Sequence, residues 1–310
     1  MILPGIEVWR GSVNTWECDA MGHMNVRFYI ARAMEGLVGL AGAVGLGGAF
    51  RANSPATLMV KDHHVRFMRE AGPRAPLHML AGVLSIDSCE ARILQLLIHS
   101  GSGEVAASIQ TRLAHVTSRD ERPFPWAERT LTLAGGLKVD TPQPAAPRSL
   151  DLSPSAGSAT LEQANRLGLN TIAAGAIGHT DCDVFGRMRA ETVIGRISEG
   201  VPALANVLGP TEDPQGQVGA AVGGAVLEYR LAYHAWPRAG DRFIIKTGLT
   251  AVTERTRTMV HWMLDPETGK PWSSACAVAV ALDLQGRKIV PLAARDISRL
   301  QGLVTPNLLF

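Results

Sequence analysis

Residues 17–25 read Glu-Cys-Asp-Ala-Met-Gly-His-Met-Asn. Asp19, His23 and Asn25, with Gly22 among them, are the groups that chemistry at an activated carbonyl uses. A carboxylate can attack such a carbon, or take a proton from a water that does. His23 could hold that water or steady the carboxylate, and Asn25 could do the same through its amide. A glycine lets main chain approach a substrate closely. An apolar stripe follows, so a helix is expected to begin near Gly22 to Met24. Its first N–H groups have no partner within the helix and are partially positive, which suits a developing oxyanion. Asp19, Gly22, His23 and Asn25 are therefore the candidate catalytic set. Each also has a plainer reading: Asp19 as a helix N-cap, His23 as a surface or core histidine, Asn25 as a first-turn polar residue. Glu17, one residue from Asp19 in an extended segment, would point to the same side and either support Asp19 or be solvated.

The phrase is written twice. Residues 181–189 read Asp-Cys-Asp-Val-Phe-Gly-Arg-Met-Arg, and a gapless comparison of 11–75 with 175–239 finds 18 of 65 positions identical. That is far more than shared composition supplies, and it signals an internal repeat. The second copy keeps Asp183 but replaces His23 by Arg187 and Asn25 by Arg189. Arg187 could neutralise Asp183 in a structural ion pair. Alternatively, Arg187 and Arg189 could bind phosphates, for which guanidinium geometry is suited. One working site centred on Asp19 is expected, with Asp183 in reserve. Cys18 and Cys182 read as small buried fillers.

Each copy has the same elements around the phrase. A short strand precedes it and a long helix follows. In the first helix Val26, Ile30, Ala33, Leu37, Leu40 and Val44 recur at three- and four-residue steps, and Gly45 suits a C-terminal stop. The second helix carries Pro202, which predicts a break. Both share Arg-x-x-Glu-Gly, so Arg32 with Glu35 and Arg196 with Glu199 can pair along one face; Glu35 is also the reserve carboxylate. Four strand-like segments follow each helix, with hairpin turns at 100–104 and 265–270. A sheet of that order can bury the helix by curling around it. The Pro-, Ser- and Ala-rich stretch 139–158 reads as linker. The expected organisation is an N-terminal domain 1–120, a linker 121–164, and a C-terminal domain with tail 165–310, whose last residues form a short helix.

The chain has 310 residues, enough for two cores, and a formal net charge of +2. That charge argues against a nucleic-acid surface or a polybasic membrane patch. The apolar stretch 37–50 is too short to span a bilayer, and the N-terminus has no signal-peptide pattern. The four cysteines lie far apart, with neither a disulfide frame nor metal-ligand spacing. The expectation is a cytoplasmic protein with no metal, no nucleic-acid partner and no membrane partner.

Cys-Asp-Ala-Met-Gly-His-Met-Asn, placed between a strand and a long helix, resembles the run in hotdog-fold acyl-CoA thioesterases of the 4-hydroxybenzoyl-CoA thioesterase type. The stretch 229–241 is similar to that family's third strand and following turn. The resemblance implies an α+β fold of two tandem hotdog domains. In each, an antiparallel sheet wraps a long central helix, and the two form an internal pseudo-dimer. It implies hydrolysis of an acyl-CoA thioester, with Asp19 as nucleophile or general base. Coenzyme A enters as part of the substrate, no other cofactor is needed, and acyl carrier protein is the alternative carrier. Pseudo-symmetry brings Glu228 and Tyr229 to the first copy as substrate-binding residues, and one of His63 and His64 to the second. A homodimer of fused chains is compatible with the pattern. The competing functions are a hotdog hydratase or dehydratase, whose usual Asn-Pro is missing here, and a non-catalytic acyl-CoA-binding protein.

Overall fold

A computed structural model describes residues 3–153, 159–208 and 222–310. The chain divides into two compact units. One comprises Met1–Arg148 together with Asp181–Thr192; the other comprises Ser149–Thr180 together with Val193–Phe310. Both copies of the acidic phrase therefore lie in the first unit.

In the first unit, β1 (Ile6–Ser12) precedes the phrase and α1 (Val26–Ala43) follows it. Then come β2 (Ala56–Phe67), β3 (Pro76–Ile86), β4 (Glu90–His99), β5 (Val105–Thr117) and α2 (Glu128–Gly135). The strands form an antiparallel sheet in the order β1-β3-β4-β5-β2. The predicted stripe of α1 is its buried face: Ile30, Ala33, Leu37 and Leu40 are all but inaccessible. Each leucine so buried contributes about 2 kcal/mol. Gly36 lets the helix sit this close to the sheet, since a Cβ there would come within 2.5 Å of Met79 Sδ. The second copy keeps that glycine for the same reason: a Cβ on Gly200 would lie 2.8 Å from the Ile172 carbonyl oxygen. At mid-sheet Gln95 donates Nε2–H to the Ala33 carbonyl, 2.6 Å away. The end of α1 is a Schellman motif: Gly45 takes φ +82°, its N–H donates to Gly42 O, and the Leu46 N–H donates to Ala41 O.

The second unit contains α3 (Leu161–Arg166), β6 (Asn170–Ala176), most of α4 (Ala190–Gly200), α5 (Ala205–Leu208), β7 (Val222–Tyr233), β8 (Arg242–Val252), β9 (Arg257–Leu264), β10 (Pro271–Asp283), β11 (Lys288–Val290) and α6 (Ala294–Gln301). Its sheet runs β7-β10-β9-β8-β6, with β11 on β10. The break expected at Pro202 is present: α4 ends at Gly200 and a 3-10 turn, Val201–Leu204, follows. Proline has no N–H to continue the ladder.

The ladders refine the repeat. At the first strand, the phrase and the helix the copies are 164 residues apart, but in the later strands of each sheet the offset is 166. His63 pairs with Thr111 as Tyr229 pairs with Ala277, and Gln95 faces Ala81 as His261 faces Thr247. The repeat also continues beyond the strands. The Trp126 N–H donates to Ser88 O and the Leu292 N–H to Glu254 O; then α2 and α6 follow at matching places. Lys138 bridges Val83 as Val304 bridges Leu249. The stretch expected to open as linker thus begins with a helix repeated at the end of the chain. Its mean hydropathy is low, which hid it. The linker proper is pinned as well: Arg66 Nη1 donates to the carbonyls of Pro144 and Ala146, at 2.6 and 2.8 Å. Residues 154–158 of the linker lie outside the described residues.

Candidate active site

The phrase enters through a 3-10 turn, Thr15–Glu17, closed by its own side chains. Glu17 Oε2 accepts the Asn14 N–H at 2.7 Å, and Glu17 also forms an ion pair with Arg32. Glu17 is 2% exposed. It is neither solvated nor aligned with Asp19. The expectation of an extended segment fails because the turn rotates Glu17 inward, under α1.

Asp19 opens a tight loop. Its Oδ1 accepts the Met21 N–H at 2.9 Å, its carbonyl accepts the Gly22 N–H at 3.0 Å, and its own N–H donates to the His23 carbonyl at 3.0 Å. Gly22 stands at φ +80°, a region that favours glycine. A Cβ at Gly22 would meet no protein atom within 4 Å, so within the chain it is the backbone conformation that calls for glycine. The loop delays the helix, which starts at Val26 and not near Gly22 to Met24.

Asn25 is the N-cap. Its side chain accepts the Arg27 N–H at 3.0 Å, and its N–H donates to Glu17 O at 2.8 Å. Asp19 is therefore not the cap of α1, which leaves its Oδ2 for other work. The Phe28 N–H returns to Asn25 O. Among the hydrogen bonds of the described residues, none uses the Val26 N–H, the first of the helix. That N–H carries the partial positive charge expected of a helix start.

His23 Nδ1 lies 3.4 Å from Asp19 Oδ2, and Nε2 lies 3.8 Å from Glu70 Oε1. Glu70 was not singled out in the sequence, because its counterpart in the gapless comparison is His234 and no repeated acid marks it. It arrives because the Met24 N–H donates to Ala71 O at 2.8 Å, tying the segment after β2 to the phrase. The hydroxyl of Tyr29 bonds the backbone of Ala71 as well.

In the second copy the loop is the same but its occupants differ. Gly186 stands at φ +76°. Asp183 Oδ1 accepts the N–H groups of Phe185 and Arg187, at 2.9 and 3.0 Å, and Oδ2 accepts Arg187 Nε and Nη2, at 3.2 and 3.0 Å. Arg187 is 5% exposed; its guanidinium lies over the Phe185 ring and 4.0 Å from Glu121. Arg189 pairs with Glu191 at 3.4 Å.

Glu35 is paired with Arg32 at 2.6 Å on the helix surface, as the spacing predicts, and Arg196 with Glu199 at 2.9 Å. Tyr229 is buried in the second unit, 6.4 Å from the ring of His261, and burial raises the pKa of its phenol. Glu228 accepts the Ser149 N–H. His63 and His64 are both buried on β2. Cys18 and Cys182 are only partly buried, not the buried fillers expected; desolvation, with the charges of Asp19 and Glu17 beside it, holds the Cys18 thiol above its ordinary pKa, which does not suit a nucleophile. Among the described residues no three His, Cys, Asp or Glu side chains are grouped to hold a metal ion. No described helix is long and apolar enough to cross a membrane.

The thioesterase-like superfamily model matches this chain twice, over residues 13–132 and 177–295. Similar solved structures include a protein named as an oleoyl thioesterase from Lactobacillus plantarum, at TM-score 0.66 and 11% identity, covering 88% of this chain and 95% of that one. A 12:0-ACP thioesterase from Umbellularia californica matches at TM-score 0.63 and 11% identity, over 88% and 93%. An acyl-ACP thioesterase from Bacteroides thetaiotaomicron VPI-5482 matches at 0.61 and 11%, over 87% and 96%. No curated protein matches this sequence. At such identities the structural likeness speaks for the fold, two tandem hotdog domains. The chain belongs to the thioesterase-like superfamily, and it is a thioester hydrolase.

Proposed function

We propose that the chain hydrolyses an acyl thioester, acyl-CoA in the first instance, at the centre formed by Asp19, His23 and the start of α1. One observation carries this reading: Asp19 is excused from helix capping by Asn25, so that Oδ2 faces His23 while Oδ1 is anchored by Met21. A carboxylate anchored on one oxygen and open on the other is suited to attack or to accept a proton.

The carbonyl oxygen sits at the Val26 N–H, whose donation to the developing oxyanion is worth on the order of 3 kcal/mol. Asp19 either attacks the carbonyl carbon, giving an acyl-aspartyl anhydride that water then cleaves, or removes a proton from the attacking water. In both routes the C–S bond breaks, the thiolate takes a proton by way of His23, and the products are the free acid and the thiol. Gly22 gives the loop its turn, and Asn25 holds the helix start in place. No cofactor takes part. Similar folds named as acyl-ACP thioesterases support acyl thioesters as the substrate class and keep carrier protein as an alternative carrier. The four free cysteines suit a reducing compartment such as the cytoplasm.

The test is thiol release on a panel of acyl-CoAs by the wild type and Asp19→Ala. Loss of at least a hundredfold in kcat with Asp19→Ala supports the reading, and unchanged turnover defeats it. Single turnover in 18O-labelled water bears on the route, because label in the peptide carrying Asp19 arises only from direct attack followed by entry of water at the Asp19 carboxyl carbon.

A further inference from the structure

We infer that the second copy of the phrase is a locked site, that Arg187 is its lock, and that each chain carries one working centre. This rests on the reading of Asp19 as the catalytic carboxylate. It concerns what the matching carboxylate 164 residues later does.

The two aspartates occupy the same loop, so their hydrogen bonds compare directly. An ionised carboxylate offers about four acceptor positions. Asp183 fills four of them, two with main-chain N–H groups and two with the guanidinium of Arg187. Asp19 has one anchoring bond, from Met21, and a histidine 3.4 Å from its other oxygen. The difference follows from one residue. A neutral imidazole at 23 can accept and return a proton. A guanidinium at 187 stays charged at any physiological pH and can do neither.

The lock is also built in. Arg187 is nearly buried, the Phe185 ring covers its guanidinium at 4.8 Å, and Glu121 stands 4.0 Å away as a second counter-charge. Swinging out to meet a phosphate would strand Asp183 and expose a packed side chain. Arg189 keeps the main-chain bonds that Asn25 makes, but its side chain pairs with Glu191 and has no acceptor with which to cap the helix. The locked loop retains a structural use: it keeps the turn that starts α4, with Gly186 and the Cys182–Met188 bridge intact.

The experiment is thiol release by the full-length chain in four forms. Asp19→Asn should fall below 1% of wild-type kcat. The pair Asp183→Asn with Arg187→Met, which removes the carboxylate without stranding its cation, should stay within twofold of wild type. If Asp19→Asn keeps about half the activity and the pair loses about half, both copies work. The inference then fails while the reading of Asp19 survives. If Asp19→Asn keeps all of it and the pair loses it, both fail. The fourth form carries Asp19→Asn, Arg187→His and Arg189→Asn. Recovery of thiol release to at least tenfold above Asp19→Asn alone supports Arg187 as the lock. No recovery in a protein that melts as the parent does overturns it.

Discussion

The Nε2 of His23 lies 3.8 Å from the Glu70 carboxylate. With Asp19 on the opposite ring nitrogen, the imidazole stands between two acids. A carboxylate there holds the ring in orientation. Glu70→Gln keeps the shape and removes the charge. The expected result is a kcat lowered about tenfold, equivalent to about 1.4 kcal/mol of barrier, with KM little changed. Thiol release over a range of substrate concentrations, measured for both forms, checks this. An unchanged kcat would make Glu70 a bystander.

Asn25 is expected to matter twice. Asn25→Ala removes the acceptor for the Arg27 N–H and should cost about 1 kcal/mol of stability, the usual worth of a cap. Thiol release should fall further than stability predicts, since the Val26 N–H is positioned by the same turn. Asn25→Ser, which can still cap, should restore both. Urea unfolding and kcat, measured on the same samples, separate the two effects.

Arg32 holds Glu17 in its buried place and lies over the Trp9 ring. Arg32→Met leaves a carboxylate buried with only Asn14 to bond it. Removing one partner of such a pair costs about 3 kcal/mol. Adding Glu17→Gln should return part of that loss, because the stranded charge goes with it. The check is the denaturation midpoint of the single and double variants. Equal midpoints would mean that Glu17 has protonated or found water.

Much of this arrangement was legible in the sequence, and the reasons are local. The stripe Ile30, Ala33, Leu37, Leu40 has helical spacing whatever its surroundings, and Pro202 breaks a helix anywhere. The hairpin turns at 100–104 and 265–270 announce themselves in the same way. What escaped depends on turns and distant partners. A 3-10 turn and an aspartate loop moved the helix start from Gly22 to Val26, a shift of one turn that no periodicity marks. It moved the cap to Asn25. Glu70 escaped because a main-chain bond from Met24 to Ala71, 47 residues apart, brings it in. The helix at 128–135 escaped because only Thr130 and Ala134 of it are buried, too few to make a stripe.

The sheet offset of 166 supplies the last prediction. Gln95 and His261 hold the same ladder position, yet one is an amide and the other an imidazole. His261 is buried, with Nδ1 2.8 Å from Thr247 Oγ1, and burial pushes its pKa down to about 3. The folded chain therefore keeps it neutral where the unfolded chain, near 6.5, takes up a proton. Between those values the unfolded state binds more protons, so stability falls as pH drops below about 6.5 and goes on falling toward 3. The slope is about 1.4 kcal/mol per pH unit, or about 2 kcal/mol lost by pH 5. His261→Gln puts the first copy's residue type at this position and removes the titration. Urea unfolding at pH 7.5 and pH 5.0 should show the variant losing about 2 kcal/mol less than wild type across that interval. His63, whose pKa burial lowers to about 4, still contributes its own loss in both forms. An identical pH dependence in the two proteins would mean that the imidazole of His261 is solvated or paired in the folded state.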